Sequence, residues 1–142
     1  MLAECQIETN ALDDARTNIN LVRARAANAD GWVKEADGVT NAANYVINEY
    51  PLTGYPFDTQ DNARLALRME RKLELGMEGH RYFDLNRWGN TVPELNRILA
   101  YEKTMPWGNA LYGAATVGPE DVTYPVPQRQ IDLSNGRLVQ NR

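Results

Sequence analysis

The sequence predicts a mainly α-helical fold of helical hairpins, followed by a loop-rich, irregular C-terminal region. Two segments, 10–28 and 59–77, repeat apolar residues at spacings of three and four, which is the period of an amphipathic helix. From Lys103 onward this periodicity is lost, and proline and glycine become frequent. We therefore divide one segment, 1–142, into a helical hairpin at 1–28, helices at 59–102 and extended or looped chain at 103–142.

The composition excludes several classes of function. With 142 residues, 43% of them apolar and 24% charged, the chain can bury a core. A net charge of -4 argues against nucleic acid as a partner. One Cys and one His exclude an internal disulfide framework and a multi-His metal site, so no metal and no cofactor is expected.

The predicted first hairpin pairs a short helix over 1–8 with a longer one over 10–28. Leu12, Ala15, Ile19, Val22 and Ala26 form the apolar stripe of the longer helix. Asn10 is its expected N-cap, and Asp30 with Gly31 ends it. Cys5 is expected to be a small buried residue of the short helix.

The central part of the chain predicts three further helices. A weaker pattern over 39–50 ends where Pro51, Gly54 and Pro56 interrupt the backbone, and a strong pattern follows over 59–77. Thr91 and Glu94 have the spacing of a capping box, which would begin the helix over 91–102.

The densest charged segment is ERKLELGMEGHRYFDLNRWG, residues 70–89. The carboxylates of Glu70, Glu74 and Glu78 are spaced four residues apart, and like charges at that spacing need cations to offset them. Arginine suits this role because its planar guanidinium binds two carboxylate oxygens. The pattern predicts a structural network of charged and aromatic residues, namely Glu70, Arg71, Glu74, Glu78, Arg81, Asp84, Arg87 and Trp88.

Two more specific interpretations of this segment have less support from the sequence. Glu74 and Glu78 could form an acid and base pair of a glycoside hydrolase, but a solvated helix face has the same spacing. His80 and Asp84 could supply two metal ligands, but two ligands without a third favour a structural histidine.

The segment at 70–89 also resembles the C-terminal signature of the SusD/RagB family of Bacteroidetes outer-membrane nutrient-binding lipoproteins. Three other segments agree with this resemblance: MLAECQIE at 1–8, ARTNINLVRARA at 15–26 and YPVPQRQIDLSNGRLVQN at 124–141. Val126 stands where the family usually has Ile, and the family commonly continues with Pro, Gly and Tyr where this chain has Arg142.

The resemblance implies a tetratricopeptide-like helical fold and a role in binding without catalysis. It implies an oligosaccharide ligand, or sometimes a peptide, delivered to a SusC-like TonB-dependent transporter at the extracellular face of the outer membrane. It also implies that this chain is the C-terminal portion of a longer protein, whose lipid anchor and N-terminal helical repeats lie outside it.

Four aromatic residues outside the helical stripes are the candidate ligand contacts: Trp32, Tyr55, Trp107 and Tyr112. Aromatic faces stack on sugar rings, and loops often carry binding residues. Trp107 and Tyr112 are placed in a loop, PWGNALYG, and packing of this loop onto helices is an alternative role for them. A second functional hypothesis is a helical scaffold that contacts only a protein partner.

Overall fold

A computed structural model describes residues 1–140, and it is mainly α-helical. Seven α-helices and two 3₁₀ helices lie in this part of the chain, and it contains no strand beyond one antiparallel bridge between Lys34 and Asn41. The mainly α prediction is therefore confirmed. The α-helices are α1 Leu2–Glu8, α2 Leu12–Ala27, α3 Gln60–Glu74, α4 Arg81–Arg87, α5 Thr91–Glu102, α6 Pro106–Tyr112 and α7 Gln128–Leu133. Asn141 and Arg142, the end of the C-terminal motif, lie outside the described residues.

The chain divides into two compact units, the first spanning Met1–Gly76 and the second beginning at Met77. In the first unit, α1, α2 and α3 pack around a small apolar core. Ala15 and Ala63 are fully buried in it, and such small side chains allow close approach of helices. Larger side chains complete the core: Ile7, Ile19, Phe57 and Leu67.

The junction between α1 and α2 differs from the predicted cap. Asn10 is not the N-cap of α2, because the cap position is Ala11. Asn10 instead has a φ of 61°, and its N–H donates to the carbonyl of Ile7 after the end of α1. Asparagine tolerates this left-handed conformation better than most residues. Cys5 is exposed rather than buried, so that expectation was wrong.

The helix expected over 39–50 does not form. Residues 33–42 instead fold back as a hairpin-like loop, whose turn is closed by the Asp37 carboxylate accepting the N–H groups of Val39 and Thr40. Aspartate favours such turns because its short side chain competes with helix formation for the backbone. The following segment, up to Tyr50, has no regular secondary structure.

The periodicity predicted a helix that continues to Met77, whereas α3 ends at Glu74. Met77 and Gly79 have positive φ angles of 67° and 76°, so the helix cannot continue through them. The start of α3 is conventional, since the Thr59 hydroxyl accepts the N–H of Asn62 at 3.2 Å.

The second unit contains more helix than the sequence predicted. The expectation of extended or looped chain at 103–142 is wrong for α6, α7 and the 3₁₀ turn Pro119–Val122. Pro106 and Pro119 occupy first turns, where a missing N–H costs nothing, so proline starts these helices rather than preventing them.

The capping box expected at Thr91 is also absent. The N-cap of α5 is Asn90, and Thr91 is the first helical residue. The Thr91 hydroxyl donates to the side-chain oxygen of Asn86, while Glu94 pairs with arginines. Thr91 is buried, and this hydrogen bond satisfies its hydroxyl.

Side-chain amides hold three irregular segments in place by pairing with the backbone. Asn20 on α2 donates to the carbonyl of Tyr50 at 2.9 Å and accepts the N–H of Tyr50 at 2.8 Å. Asn96 on α5 makes the same two bonds with Val117, at 2.8 and 3.0 Å. Gln140 makes them with Val126, at 3.0 and 2.7 Å. Each amide thus supplies both hydrogen-bond partners to the backbone of one residue outside regular secondary structure, as a neighbouring strand does in a sheet.

Replacing Asn20 by Ala should lower the free energy of unfolding by about 1–3 kcal/mol, because both backbone groups of Tyr50 lose their partner in a part-buried site. Urea unfolding followed by circular dichroism measures this change. Asn44→Ala is the matched control, since Asn44 is exposed, and it should shift stability by less than about 0.5 kcal/mol. Equal effects of the two variants would contradict the pairing role.

Candidate functional site

The four candidate aromatic residues are distributed over the two units. Trp32 is half-buried and stacks on Tyr45, with ring centroids 4.9 Å apart, while its indole N–H donates to the carbonyl of Ala26 at 2.9 Å. Tyr55, in the same unit, has 70% of its surface exposed. Trp32 thus has a packing role at the base of the loop, whereas Tyr55 offers its ring to solvent.

Trp107 and Tyr112 lie on α6, and not in the loop that the sequence suggested. They are 59% and 40% exposed. Leu111 is four residues from Trp107, so the two side chains share a face of the helix, and Leu111 is 71% exposed. This Trp107–Leu111 face is an apolar, aromatic surface open to solvent.

The acidic residues of α3 find partners that sequence reasoning missed. Glu70 accepts hydrogen bonds from Arg23 and from the Tyr50 hydroxyl, both at 2.7 Å, and Glu74 pairs with Arg25. Arg23 and Arg25 lie on α2, so these contacts join α2 to α3. The predicted network did not include Arg23 and Arg25, which lie outside the segment 70–89.

The remaining members of the predicted network form separate contacts. Arg71 lies 3.9 Å from the sulfur of Met1, and Glu78, which follows α3 instead of lying on it, is 3.9 Å from the exposed His80. In the second unit, Arg81 approaches Glu94 at 3.4 Å. The buried carboxylate of Asp84 accepts from Arg87 at 3.0 Å, and the Arg87 guanidinium lies over the ring of Trp88.

Glu70, Arg23 and Tyr50 form a cluster in which the Tyr50 hydroxyl keeps its proton. Burial raises the pKa of Tyr50 to about 12, and the hydrogen bond to Glu70 and its negative charge add to the increase. The Arg23 guanidinium lies 4.6 Å from the centre of the Tyr50 ring and opposes this shift by its charge. A neutral Tyr50 hydroxyl therefore donates to a carboxylate that Arg23 also neutralises.

Two open grooves meet at this cluster. One of about 330 Å³ has an apolar floor that includes Ile19 and Leu67, and one of about 320 Å³ has Val46 and Leu73 in its wall. Glu70 and Glu74 border both grooves. Because arginines already pair with both carboxylates, the geometry gives neither of them the role of an acid or base.

The described residues also bear on metal binding and membrane insertion. Within residues 1–140 there is no group of three His, Cys, Asp or Glu side chains that could hold a metal ion. None of the described helices has the length and apolarity needed to cross a bilayer.

The model of the SusD family matches residues 1–142, the whole chain. The chain belongs to the SusD family. A search of curated proteins found no match. Membership of this family supports a general role in carbohydrate binding and nutrient uptake, and the family is one of non-catalytic binding proteins. The hydrolase interpretation of Glu74 and Glu78 finds no support in it.

Sequence reasoning missed several residues that shape these surfaces in the SusD-family chain. Asn20, Arg23, Tyr45 and Tyr50 contact residues far away in sequence or inside irregular segments, so no helical spacing marks them. Leu111 was missed because α6 was assigned to a loop, although Trp107 and Leu111 have the spacing of a helix face. That spacing was the available signal.

Replacing Tyr50 by Phe should destabilise the chain at pH 7 by about 1 kcal/mol, since the bond to Glu70 is lost. The folded pKa lies above the ordinary value of 10.0, so the wild type loses the contribution of Tyr50 as pH rises from 10 to about 12. The difference between the two proteins should therefore shrink across this window. Urea unfolding at several pH values measures it, with Tyr101→Phe as the exposed control. A difference that grows above pH 10 would contradict the raised pKa.

Proposed function

We propose that this chain captures oligosaccharides at the extracellular face of the outer membrane and delivers them to a SusC-like TonB-dependent transporter. The observation that carries the proposal is the match of the SusD family over the entire chain. In this proposal the protein is attached to the membrane through a lipid anchor and binds its ligand without chemical conversion. A peptide in place of a glycan is the alternative ligand.

The exposed aromatic side chains support the proposal. Trp107, Tyr112 and Tyr55 present ring surface to solvent, and a sugar ring offers C–H groups that pack on such a face. Trp32 contributes less, because one face of its indole is covered by Tyr45. Among these residues Trp107 is the principal proposed contact, since it combines the largest ring with 59% exposure.

Replacing Trp107 by Ala should raise the Kd for a bound oligosaccharide about tenfold, which corresponds to loss of one stacking contact of about 1.4 kcal/mol. Isothermal titration calorimetry with malto-, xylo-, manno- and fructo-oligosaccharides measures the change. Trp107→Phe should retain most of the affinity because it keeps an aromatic face.

The control for this experiment is Leu65→Ala, which truncates an equally exposed apolar side chain on α3. It should leave the Kd within about twofold of the wild type. An unchanged Kd in Trp107→Ala would remove Trp107 from the site, and binding of peptides but not of any oligosaccharide would favour the alternative ligand.

A second candidate function, a scaffold that contacts only protein, is favoured by one feature of α3. Leu65, Met69 and Leu73 stand four residues apart and are 61%, 51% and 65% exposed, so they form an apolar stripe facing solvent. Exposed apolar surface of this kind is typical of a protein interface. A protein interface at this stripe is compatible with ligand capture, because the stripe would contact a protein partner and the exposed aromatic side chains would contact the ligand.

If the stripe contacts the partner, the double variant Leu65→Ser, Met69→Ser should abolish co-purification with a SusC-like transporter. Affinity capture from detergent-solubilised membranes measures this, and titration with oligosaccharides measures the ligand in parallel. The matched control is Leu133→Ser, an exposed leucine outside both the stripe and the Trp107–Leu111 face. Loss of capture without any oligosaccharide binding by the wild type would favour the scaffold; unchanged capture would exclude the stripe from the interface.

A further inference from the structure

The segment around α6 carries no charge. Residues 104–118 include no Asp, Glu, Lys or Arg, although 24% of the whole chain is charged. Most of these residues are exposed to solvent, so burial does not explain the missing charges. A surface without charge and with exposed aromatic side chains favours an uncharged ligand.

The packing of α6 defines which face is open. Gly108 is buried against α5, since a Cβ at this position would lie 2.0 Å from the carbonyl oxygen of Glu102. Each residue turns the helix by about 100°, so Ala110 lies about 160° and Trp107 about 100° from Gly108, away from this contact, whereas Leu111 lies about 60° from Gly108 on the side of Trp107. All three are exposed. Trp107 therefore has Ala110 and Leu111 beside it, and neither would block a ring that stacks on the indole.

The charged groups next to the segment do not favour an anion. The Lys103 ammonium donates to the carbonyl of Ala115 at 2.7 Å, so one of its three donors is already used, and it is the one cation against the three carboxylates that flank the segment in sequence. Glu102 precedes Lys103, and Glu120 with Asp121 follows the segment. Carboxylates and sulfates in sugars require arginine or lysine donors, and here carboxylates of the protein stand at both ends of the segment.

Resting on the function proposed above, we propose that the α6 surface takes neutral oligosaccharides and rejects those that carry uronate or sulfate groups. Trp107 supplies the stacking face of this surface, since its indole is 59% exposed. Discrimination arises because an anionic sugar would lose hydration without gaining a cation.

The test compares neutral oligosaccharides of the malto-, xylo-, manno- and fructo- series with an oligogalacturonate of the same length, by titration calorimetry on the whole chain. A neutral series should bind with a Kd that changes less than about twofold between about 50 and 500 mM NaCl. The oligogalacturonate should bind at least about tenfold more weakly.

A gain-of-function variant tests the origin of the discrimination. Ala110→Arg places a cation beside Trp107 and should strengthen oligogalacturonate binding about tenfold at low salt, with the gain lost at high salt. Ala110→Gln, of similar length without charge, is the control and should not show this gain. Circular dichroism checks that both variants fold.

The outcomes separate this inference from the proposed function. Wild-type binding of the oligogalacturonate that equals or exceeds the neutral series overturns the inference and leaves oligosaccharide capture standing. Equal gains in Ala110→Arg and Ala110→Gln also overturn it, because charge would then not be the cause. Absence of binding for every oligosaccharide overturns the proposed function of this chain itself.

Discussion

The irregular parts of this chain depend on pairing between side-chain amides and the backbone. A residue outside the helices still needs a partner for its backbone donor and acceptor, and in a structure whose described residues form no sheet these do not come from a neighbouring strand. Asn20, Asn96 and Gln140 each supply both groups to one residue. This constraint gives a physical reason for two of the 14 asparagines in the chain.

Charge pairing in the first unit follows from the same arrangement. Once Asn20 holds Tyr50 against α2, the Tyr50 hydroxyl and Arg23 converge on one oxygen of Glu70. The cluster thus joins α2, α3 and the irregular segment between them through a part-buried ion pair and a neutral phenol. Such a cluster specifies which segments pack together, since removing any one member leaves a polar group without its partner. Its Glu70 carboxylate accepts both hydrogen bonds and so links the three segments.

The surfaces open to solvent have a different character. The Trp107–Leu111 face of α6 and the stripe of Leu65, Met69 and Leu73 on α3 are apolar or aromatic, and residues 104–118 carry no charged side chain. A non-catalytic family role in carbohydrate binding agrees with surfaces that can stack and exclude water but hold no reactive group. The amide pairs therefore order the loops, whereas the aromatic side chains remain exposed to solvent.

The sequence by itself determined the helices with a strong apolar period and the family, because both depend on local spacing and on motifs such as those at 15–26 and 70–89. It also selected Trp107 as a candidate ligand contact. Only the tertiary structure decided that 39–50 is not helical and that α6 and α7 exist. It also decided that Arg23 and Arg25 form ion pairs with Glu70 and Glu74. The physical reason is the range of the interactions. An apolar period acts within one helix, whereas the bonds of Asn20 to Tyr50 and of Arg23 to Glu70 join residues that become neighbours only after the helices have packed.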